Sequence, residues 1–407
     1  MGHHEHPLAP RCRTHEPAGR PAGGGALGRH PGGARDPLAV GARHPPGNAG
    51  QRRPPRTRGI GGTGVVGILE GKGGPGRRIG LRADMDALPM DETTNLPWRS
   101  TIPGRMHACG HDGHTTMLLG AARYLQETRN FNGTVNLIFQ PGEEGCGGAL
   151  AMLEDGLFER FPCDEVYGIH NWPGMPTGHF GFLVGPSMAS SNRFEIKVHG
   201  IGAHAATPEN GVDPVFIAAE MVGSLQSLIT RNKPAGSTAV LSITQIHAGD
   251  AYNVIPAEAI IRGTVRTFHT ETLDMVEENM RRIVTMLPQA YGATGELNFI
   301  RAYPCLVNHE EQTKFAADVA EGMVGPGMVT RSLKPLTGSE DFSFFLEKVP
   351  GSYLFLGNGT GEHRGYEAYE GMGPCELHNP NYDFNDALLP IGGSFWVKLV
   401  QAFFAKA

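Results

Sequence analysis

HTTMLLGAARYLQETRNFNGTVNLIFQPGEEG, residues 114–145, places a helix-like segment, a short apolar strand and a pair of carboxylates one after another. Residues 114–127 are favourable for a helix, and residues 135–140 form an apolar run typical of a buried strand. A Pro-Gly turn then leads directly into Glu143 and Glu144. In sheets of parallel strands, ligands collect at the carboxyl ends of the strands. The stretch therefore predicts an α/β fold with a polar site at one edge of its sheet.

Strands and helices alternate on both sides of this stretch. The flanking segments are strand-like at residues 65–71, 77–86 and 166–170 and helix-like at residues 148–158. Such alternation predicts an α/β domain with a mostly parallel central sheet flanked by helices. We assign residues 59–186 and 302–407 to this domain, which is expected to end in a long amphipathic helix from Leu388 to Ala405.

The order of elements changes within residues 187–301. Strand-like segments occur at residues 193–200, 238–247, 258–268 and 296–304, and helix-like segments at residues 213–232 and 271–287. This is the βαββαβ order of a ferredoxin-like domain. Because strand and helix signals resume after it, we expect the domain to be inserted into the first one.

Composition limits the class of protein. A chain of 407 residues is long enough for two cores, and its net charge of −6 gives no reason to expect nucleic-acid binding. No apolar run approaches the roughly 18 residues of a membrane span, and no continuous apolar segment marks a signal peptide. The six scattered cysteines favour reduced thiols. We therefore expect a cytoplasmic protein with no membrane partner.

Residues 1–58 have a different composition. They are rich in Gly, Pro, Arg and His, with ten arginines against three acidic residues and few aliphatic side chains. Such a segment buries too little apolar surface to offset its ordering entropy, so the sequence predicts disorder there.

Four short motifs carry residues that bind metals in proteins. They are MHACGHDGH (106–114), QPGEEG (140–145), YGIHNWP (167–173) and ELHNP (376–380). Together they supply a thiolate, three imidazoles and two adjacent carboxylates. This mixture suits two divalent transition ions that hold a water between them.

Each motif also has a simpler explanation. Cys109 could be a thiol nucleophile with a nearby histidine as its base. The acidic pair could lie in a solvated loop tip, although burying two adjacent carboxylates without a cation would be costly. His170 could be a core histidine, and His378, in a polar loop, is uninformative alone. The joint occurrence of the four motifs favours metal, with one carboxylate as ligand and its neighbour as base.

From residue 59 onward the chain resembles the aminoacylase-like dinuclear metallopeptidases. Within this group it looks like the amidohydrolase family of hippurate hydrolases, N-acyl-amino-acid hydrolases and plant indole-acetyl-amino-acid hydrolases. The motifs that carry it are GGTGVVG (61–67), RADMDALP (82–89), MHACGHDGH, QPGEEG, GIHNWP (168–173), GAHAATPENGVDP (202–214), YNVIPAEA (252–259), GSEDF (338–342) and LHNPNYDFND (377–386). The resemblance implies metal-dependent hydrolysis of an N-acyl amino acid into a carboxylic acid and a free amino acid.

The resemblance also implies a metal site with two divalent ions per subunit. The matching ligands are Cys109, His111, Glu144, His170 and His378. Glu143 matches the general base, which later protonates the leaving amine. Asp84 and Asp86 match an acidic motif at a strand end, and we expect them to orient the ligands. One thiolate with imidazoles favours zinc, cobalt or nickel, whereas the carboxylate leaves manganese open.

The inserted domain carries the remaining matches. His204 matches a histidine that reaches the active site of the partner subunit and stabilises the oxyanion. Asn253 and Arg266 match residues that hold the substrate's carboxylate or peptide oxygen. The resemblance further implies a homodimer, or a higher homo-oligomer, formed through residues 187–301.

Simpler roles remain open for these residues. His204 could cap a turn, Asn253 could support the loop before Pro256, and Arg266 could be a strand-surface charge. Glu340 and Asp341, in the GSEDF motif, could cap a helix or contact substrate.

Two other functions fit the same motifs. One is a dipeptidase or carboxypeptidase, and the other is an inactive metal or metabolite binder. The inactive binder is considered because residues 1–58 do not resemble the start of the family.

Overall fold

A computed structural model describes residues 56–365 and 376–405 of the chain. Its strands are β1 (Arg56–Ile60), β2 (Gly64–Glu70), β3 (Arg78–Asp84), β4 (Thr134–Gln140), β5 (Glu165–Pro173), β6 (Phe180–Gly181), β7 (Gly185–Met188), β8 (Ser191–His199), β9 (Ala203–His204), β10 (Ala239–Ala248), β11 (Val254–Ile255), β12 (Glu258–Thr267), β13 (Thr294–Tyr303), β14 (Leu306–Asn308), β15 (Val329–Thr330) and β16 (Gly351–Gly359). Its α-helices are α1 (His111–Thr128), α2 (Gly148–Glu154), α3 (Leu157–Arg160), α4 (Pro214–Ser227), α5 (Thr270–Gln289), α6 (Glu310–Val324), α7 (Ser343–Leu346) and α8 (Leu388–Ala405). The disorder predicted for residues 1–58 falls on residues outside this description, except that β1 begins at Arg56.

The larger sheet is mixed rather than mostly parallel. Its order is β1-β2-β4-β3-β5-β16-β6-β15; the four central strands, β4, β3, β5 and β16, run parallel to one another as neighbours, and so do β6 and β15. The pairs β1–β2, β2–β4 and β16–β6 are antiparallel. The parallel pairing was predicted from the general alternation of strands and helices, which does not hold at the strand predicted for residues 65–71. That strand instead follows β1 after a three-residue turn, which allows only antiparallel pairing.

Helices cover both faces of this sheet. One core cluster contains Leu81, Leu137 and Leu354 with residues of α1, α6 and α8. The other contains Ile138 and residues of α2, α3 and α7. Because neighbouring residues of a strand face opposite sides, Leu137 and Ile138 fix β4 between two apolar layers. The result is a three-layer α/β unit.

The C-terminal helix α8 has the bounds that the sequence predicts. It is the one helix of the described residues that is long and apolar enough, by length and composition, to cross a membrane. In the structure it packs against α1 and α6, with Trp396 and Phe403 fully buried. A core helix has the same composition, so this feature carries little weight as a membrane signal.

The second sheet has four antiparallel strands in the order β10-β12-β8-β13. The elements β8, α4, β10, β12, α5 and β13 follow the βαββαβ order, and their apolar residues form a separate core cluster. The chain enters and leaves through an antiparallel ribbon, in which β7 pairs with β14. We refer to residues 191–303 as the four-stranded unit. A small pair of strands, β9 and β11, accompanies it.

One prediction about cysteines is wrong. Cys109, Cys163 and Cys305 are free thiols, whereas Cys146 is disulfide-bonded. Reduced thiols are predicted because no two cysteines have a paired spacing. Spacing in the sequence, however, carries no information about a bridge between residues that are far apart in the chain. The cysteines therefore no longer support the predicted cytoplasmic location of the protein.

Candidate metal centre

The candidate ligands meet at one edge of the larger sheet. Asp84 is the last residue of β3, the acidic pair follows the end of β4, and His170 lies near the end of β5. These strands are parallel neighbours, so their carboxyl ends lie side by side. The fold thus brings together residues that are far apart in sequence, as the strand pattern predicts.

A glycine between Cys109 and His111 makes the first ligand turn possible. Gly110 has φ +85°, and a Cβ there would lie 2.4 Å from the Asn171 amide nitrogen and 2.5 Å from the Tyr382 hydroxyl. Both neighbours belong to the site, because Asn171 Nδ2 donates to the Cys109 carbonyl (2.7 Å) and Tyr382 donates to Asn171 Oδ1 (2.8 Å). A side chain at position 110 would therefore displace the groups that hold Cys109.

His378 reaches the same place from the C-terminal segment. Its backbone is in the left-handed region, with φ 63°, and its N–H donates to the Ala108 carbonyl (2.7 Å). Non-glycine residues in this region cost about 1–3 kcal/mol and concentrate at functional sites. The side chain lies with Nε2 3.1 Å from Glu144 Oε1. The ligand motifs at residues 106–114, 140–145 and 376–380 are thus in direct contact.

Two of the histidines use Nδ1 for protein contacts and direct Nε2 toward the cluster. His111 Nδ1 lies 3.2 Å from Asp86 Oδ1, and His170 Nδ1 donates to the Asn171 carbonyl (2.6 Å). His170 Nε2 is 3.4 Å from Cys109 Sγ. Metal-binding histidines in proteins almost always make such a hydrogen bond through the second ring nitrogen.

His114 differs from these two. Its Nδ1 is 2.6 Å from Asp84 Oδ1, and its Nε2 accepts the backbone N–H of Asn171 (2.9 Å). Both ring nitrogens are therefore occupied by protein groups. His114 supports the site by hydrogen bonds and has no nitrogen left for a metal.

The arrangement fits metal ions. His111 Nε2 is fully buried and has no hydrogen-bond partner among the described residues. A buried nitrogen of this kind normally has a partner, and a metal ion would supply one. Overlapping sets of ligand atoms lie within 4.8 Å of one another: Cys109, Glu144 and His378; His111, Glu143 and Glu144; and Asp84, His111, His114 and His170. The cluster could hold metal ions.

Asp86 contacts two of the ligand residues, and Asp84 lies among the cluster atoms, with Oδ2 3.7 Å from His111 Nε2. Asp86 accepts the backbone N–H of Glu144 through Oδ2 (3.0 Å) and contacts His111 through Oδ1. Asp84 pairs with Arg82 Nη1 (2.7 Å) and with His114. These contacts are those expected of residues that orient ligands.

The two adjacent glutamates have opposite electrostatic environments. Burial, together with Glu340 and Asp341, raises the pKa of Glu143 well above its ordinary value, and His111 opposes this only in part. Burial also raises the pKa of Glu144, but the hydrogen bond and charge of His378 outweigh it, and the pKa is lowered. Two carboxyl groups whose pKa values are pushed apart are suited to different chemical roles.

The thiol is prepared to act as a ligand. Burial raises the pKa of Cys109, but His170 and His111 outweigh it and lower that pKa to about 5. Hydrogen bonds with Cys109 and Glu144 raise the pKa of His378 to about 10. The site therefore contains a thiolate at neutral pH, the form that binds metal.

The predicted residues of the four-stranded unit lie apart from the cluster. His204 is exposed, its Nδ1 accepts the N–H of Ala206 (3.0 Å), and it belongs to none of the ligand groups found in the described residues. Asn253 is also exposed. Arg266 is half-buried and makes only long contacts, of 3.5 and 3.4 Å, with the carbonyls of Asn192 and Val265. Within one chain, the structure brings none of the three to the metal cluster.

A buried ionic network beneath the site was missed by sequence reasoning. Arg82, which is 1% exposed, pairs with Asp84, Glu340 (2.9 Å) and Asp341 (3.4 Å). Glu340 also accepts the N–H of Phe342 (2.9 Å), the residue before α7, but no side chain of the described residues caps that helix. Direct contact with substrate is not favoured, because both acids are buried. The available signal was the Arg–Ala–Asp sequence at the end of β3, where an arginine within a buried strand needs acidic partners.

Thiolate, imidazole and carboxylate groups buried at the strand ends of a mixed α/β sheet define a metal-dependent hydrolase. Comparison with known protein families leads to the same class of protein. The model of peptidase family M20/M25/M40 matches residues 80–402, and the chain belongs to this family.

Relatives extend over most of the chain. A hippurate hydrolase of Campylobacter jejuni subsp. jejuni is 45% identical over 340 residues, covering 84% of this chain and 85% of that protein. An N-acetylcysteine deacetylase of Bacillus subtilis is 38% identical over 339 residues, covering 83% and 84%. The crystal structure of the Bacillus subtilis YXEP protein, described as a dinuclear metal binding peptidase, superposes with a TM-score of 0.71 at 34% identity, covering 85% of this chain and 86% of that one.

Proposed function

We propose that the protein hydrolyses the amide bond of N-acyl amino acids, of the hippurate or N-acetyl type, and releases a carboxylic acid and a free amino acid. The observation that carries the proposal is the pair of adjacent glutamates. Glu144 lies against His378 with a lowered pKa, whereas the pKa of Glu143 is raised. A ligand and an acid–base group thus lie next to each other. Similarity to a hippurate hydrolase and an N-acetylcysteine deacetylase over four-fifths of the chain supports this substrate class.

The proposed metal site holds two divalent ions. The residues that would bind them are Cys109, His111, Glu144, His170 and His378. When bound, such ions polarise a carbonyl oxygen and lower the pKa of a water. The ligand set favours zinc, cobalt or nickel and leaves manganese open.

Glu143 is the proposed proton carrier. Its carboxylate would accept a proton from the attacking water and return it to the nitrogen of the leaving amino acid. General acid–base catalysis works best when the pKa of the group is close to the working pH. Burial and the neighbouring acids raise the pKa of Glu143 from its usual acidic range, which is the required direction.

The four-stranded unit would complete the site. Arg266 has a guanidinium without a close anionic partner among the described residues, so it could grip the substrate carboxylate through two hydrogen bonds. Asn253 would contact the carboxylate or the peptide oxygen. His204, exposed in one chain, would donate to the oxyanion in the site of a partner subunit. This assignment requires a homodimer formed through residues 187–301.

A substrate panel with defined metals tests the proposal. The metal-stripped protein is reloaded with zinc, cobalt, nickel or manganese and assayed with hippurate, N-acetylcysteine and free-amine dipeptides. We expect metal-dependent turnover of the acyl amino acids and much slower cleavage of the dipeptides. Preference for dipeptides would establish a dipeptidase or carboxypeptidase instead. Metal binding without turnover of any substrate would establish an inactive binder.

A further inference from the structure

The turn that carries Glu143 and Glu144 is closed by two backbone hydrogen bonds of its own, from the Gly145 N–H to the Glu143 carbonyl (2.6 Å) and from the Gly148 N–H to the Gly142 carbonyl (3.0 Å), but it is rich in glycine. It connects β4 with α2 and contains Gly142, Gly145 and Gly147, whose φ angles are +63°, +80° and +67°. Glycine loses more conformational freedom on ordering than any other residue. The position of the two carboxylates therefore depends on contacts from outside the turn.

Asp341 holds the two ends of this turn. Its Oδ1 accepts the side-chain N–H of Gln140 (2.7 Å), and its Oδ2 accepts the backbone N–H of Ala149 (2.9 Å). Gln140 is the last residue of β4, and Ala149 lies in the first turn of α2. The middle of the turn, with Glu143, is held by a different residue.

That residue is Tyr303, the last residue of β13 in the four-stranded unit. Its hydroxyl donates to the backbone carbonyl of Glu143 (2.7 Å) and accepts the N–H of Gly147 (3.1 Å). One hydroxyl thus closes the turn on both sides of Glu144. The ring is 6% exposed and packs edge-to-face against Phe344, with 6.1 Å between centroids, so the hydroxyl has a fixed position.

We propose that Tyr303 is a positioning residue for Glu143. Its hydroxyl fixes the backbone from which the catalytic carboxylate extends, without touching the substrate. Because Tyr303 belongs to β13, the same contact ties the four-stranded unit to the turn at the metal cluster. The orientation of that unit is thereby coupled to the position of Glu143. Burial, with the nearby charges of Asp341 and Glu143, raises the pKa of Tyr303, so the hydroxyl keeps its proton and remains a donor.

Tyr303→Phe tests the proposal, because it removes the hydroxyl and keeps the ring. Tyr167→Phe is the matched control. Tyr167 is also buried and its hydroxyl donates to Glu165, but it lies in the first half of β5, away from the site. Thermal melting shows whether both variants remain folded.

The activity readout rests on the proposed function. We expect Tyr303→Phe to lower kcat about 10- to 100-fold with KM within about twofold, since small displacements of a catalytic group have effects of this size. Tyr167→Phe should keep the wild-type kcat. Equal kcat values in the two variants would show that Tyr303 contributes only to folding, and would overturn the proposal.

Hydrogen–deuterium exchange gives a second readout that needs no substrate. In the metal-free protein, amides of residues 142–148 should exchange faster in Tyr303→Phe than in the wild type or in Tyr167→Phe. Unchanged exchange in this segment would overturn the proposal. If the wild type hydrolyses no acyl amino acid, the proposed function fails, and the exchange experiment still decides whether Tyr303 holds the turn.

Discussion

The strand ends of the eight-stranded sheet and the four-stranded unit use polar residues in different ways. At the strand ends, Arg82, Asp84 and His111 are at most 1% exposed and bound into one network. In the four-stranded unit the core is apolar, and His204 and Asn253 are exposed. The first region forms its site within one chain. The second presents groups whose proposed partners, substrate and a second subunit, lie outside that chain.

This difference has a practical consequence. Changes at the strand ends should act within each subunit, on metal binding and proton transfer. Changes in the four-stranded unit should act between subunits or on substrate binding. The following predictions test this division, starting with the largest expected effect.

Glu143→Gln should abolish most activity and leave metal binding intact. The change keeps the size of the side chain but removes the proton acceptor, and general acid–base catalysis is worth about 10²–10⁴ in rate. Metal content by mass spectrometry and kcat are measured on the same sample. Glu165→Gln is the control, because Glu165 is also buried but pairs with Arg77 at the start of β5. Wild-type turnover in Glu143→Gln would remove this residue from the mechanism.

His204→Ala should lower kcat about 10²–10³-fold, the usual cost of losing one oxyanion donor. To learn which subunit's site His204 serves, equal amounts of the His204→Ala and Glu143→Gln proteins are mixed, unfolded and refolded together. In a two-fold dimer with His204 acting across the interface, the mixture should regain about a quarter of the wild-type rate. No recovery in mixed dimers would place His204 in its own subunit's site, and a wild-type kcat of His204→Ala alone would place it outside the mechanism.

Asp86→Asn should weaken metal binding about 10- to 100-fold, as is typical for groups that orient metal ligands. The change puts an amide where a carboxylate now contacts both His111 and the Glu144 N–H. Competition with a chromophoric chelator measures the affinity. Asp164→Asn, at the N-terminal side of β5, serves as control. Equal affinities for wild type and Asp86→Asn would contradict the role assigned to Asp86.

Metal affinity should rise with pH by about tenfold per pH unit for each proton that the metal displaces. Without metal, the pKa of His378 is about 10, and the pKa of His170 is raised because Cys109 outweighs burial. The His378 ring therefore holds a proton at neutral pH that must leave when metal binds, and the raised pKa of His170 acts in the same direction. Since the pKa of Cys109 is about 5, its thiolate adds no such dependence above neutrality. A titration at pH values between about 6 and 8 with a pH-independent affinity would contradict these protonation states.

The sequence predicts the ligand end of the sheet better than its outer strands. Asp84, the acidic pair and His170 lie at or after the ends of β3, β4 and β5, and strand ends of a parallel sheet must meet at one edge. Cys109 lies in a turn before α1 and His378 in a turn of the C-terminal segment, so their contact with Glu144 does not follow from that rule. The antiparallel outer strands could not be predicted in the same way, because apolar patterns do not reveal the direction of a strand.

The supporting contacts were harder to predict. Asn171 and Tyr382 stand within recognised motifs, yet nothing in those motifs shows that they hold Cys109. Arg82 and Asp341 are separated by 259 positions, and their pairing depends on how distant segments pack. In the sequence, Tyr303 is one residue of a predicted strand, and only the structure shows its contact with the turn.

The central claim is that five side chains hold two metal ions while Glu143 stays free beside them. Anomalous diffraction from crystals of the zinc-loaded protein tests it most directly. The account predicts two peaks among Cys109, His111, Glu144, His170 and His378, with the Glu143 carboxylate in reach of a water but bound to neither ion. Peaks at other residues, or Glu143 as a ligand of either ion, would contradict it.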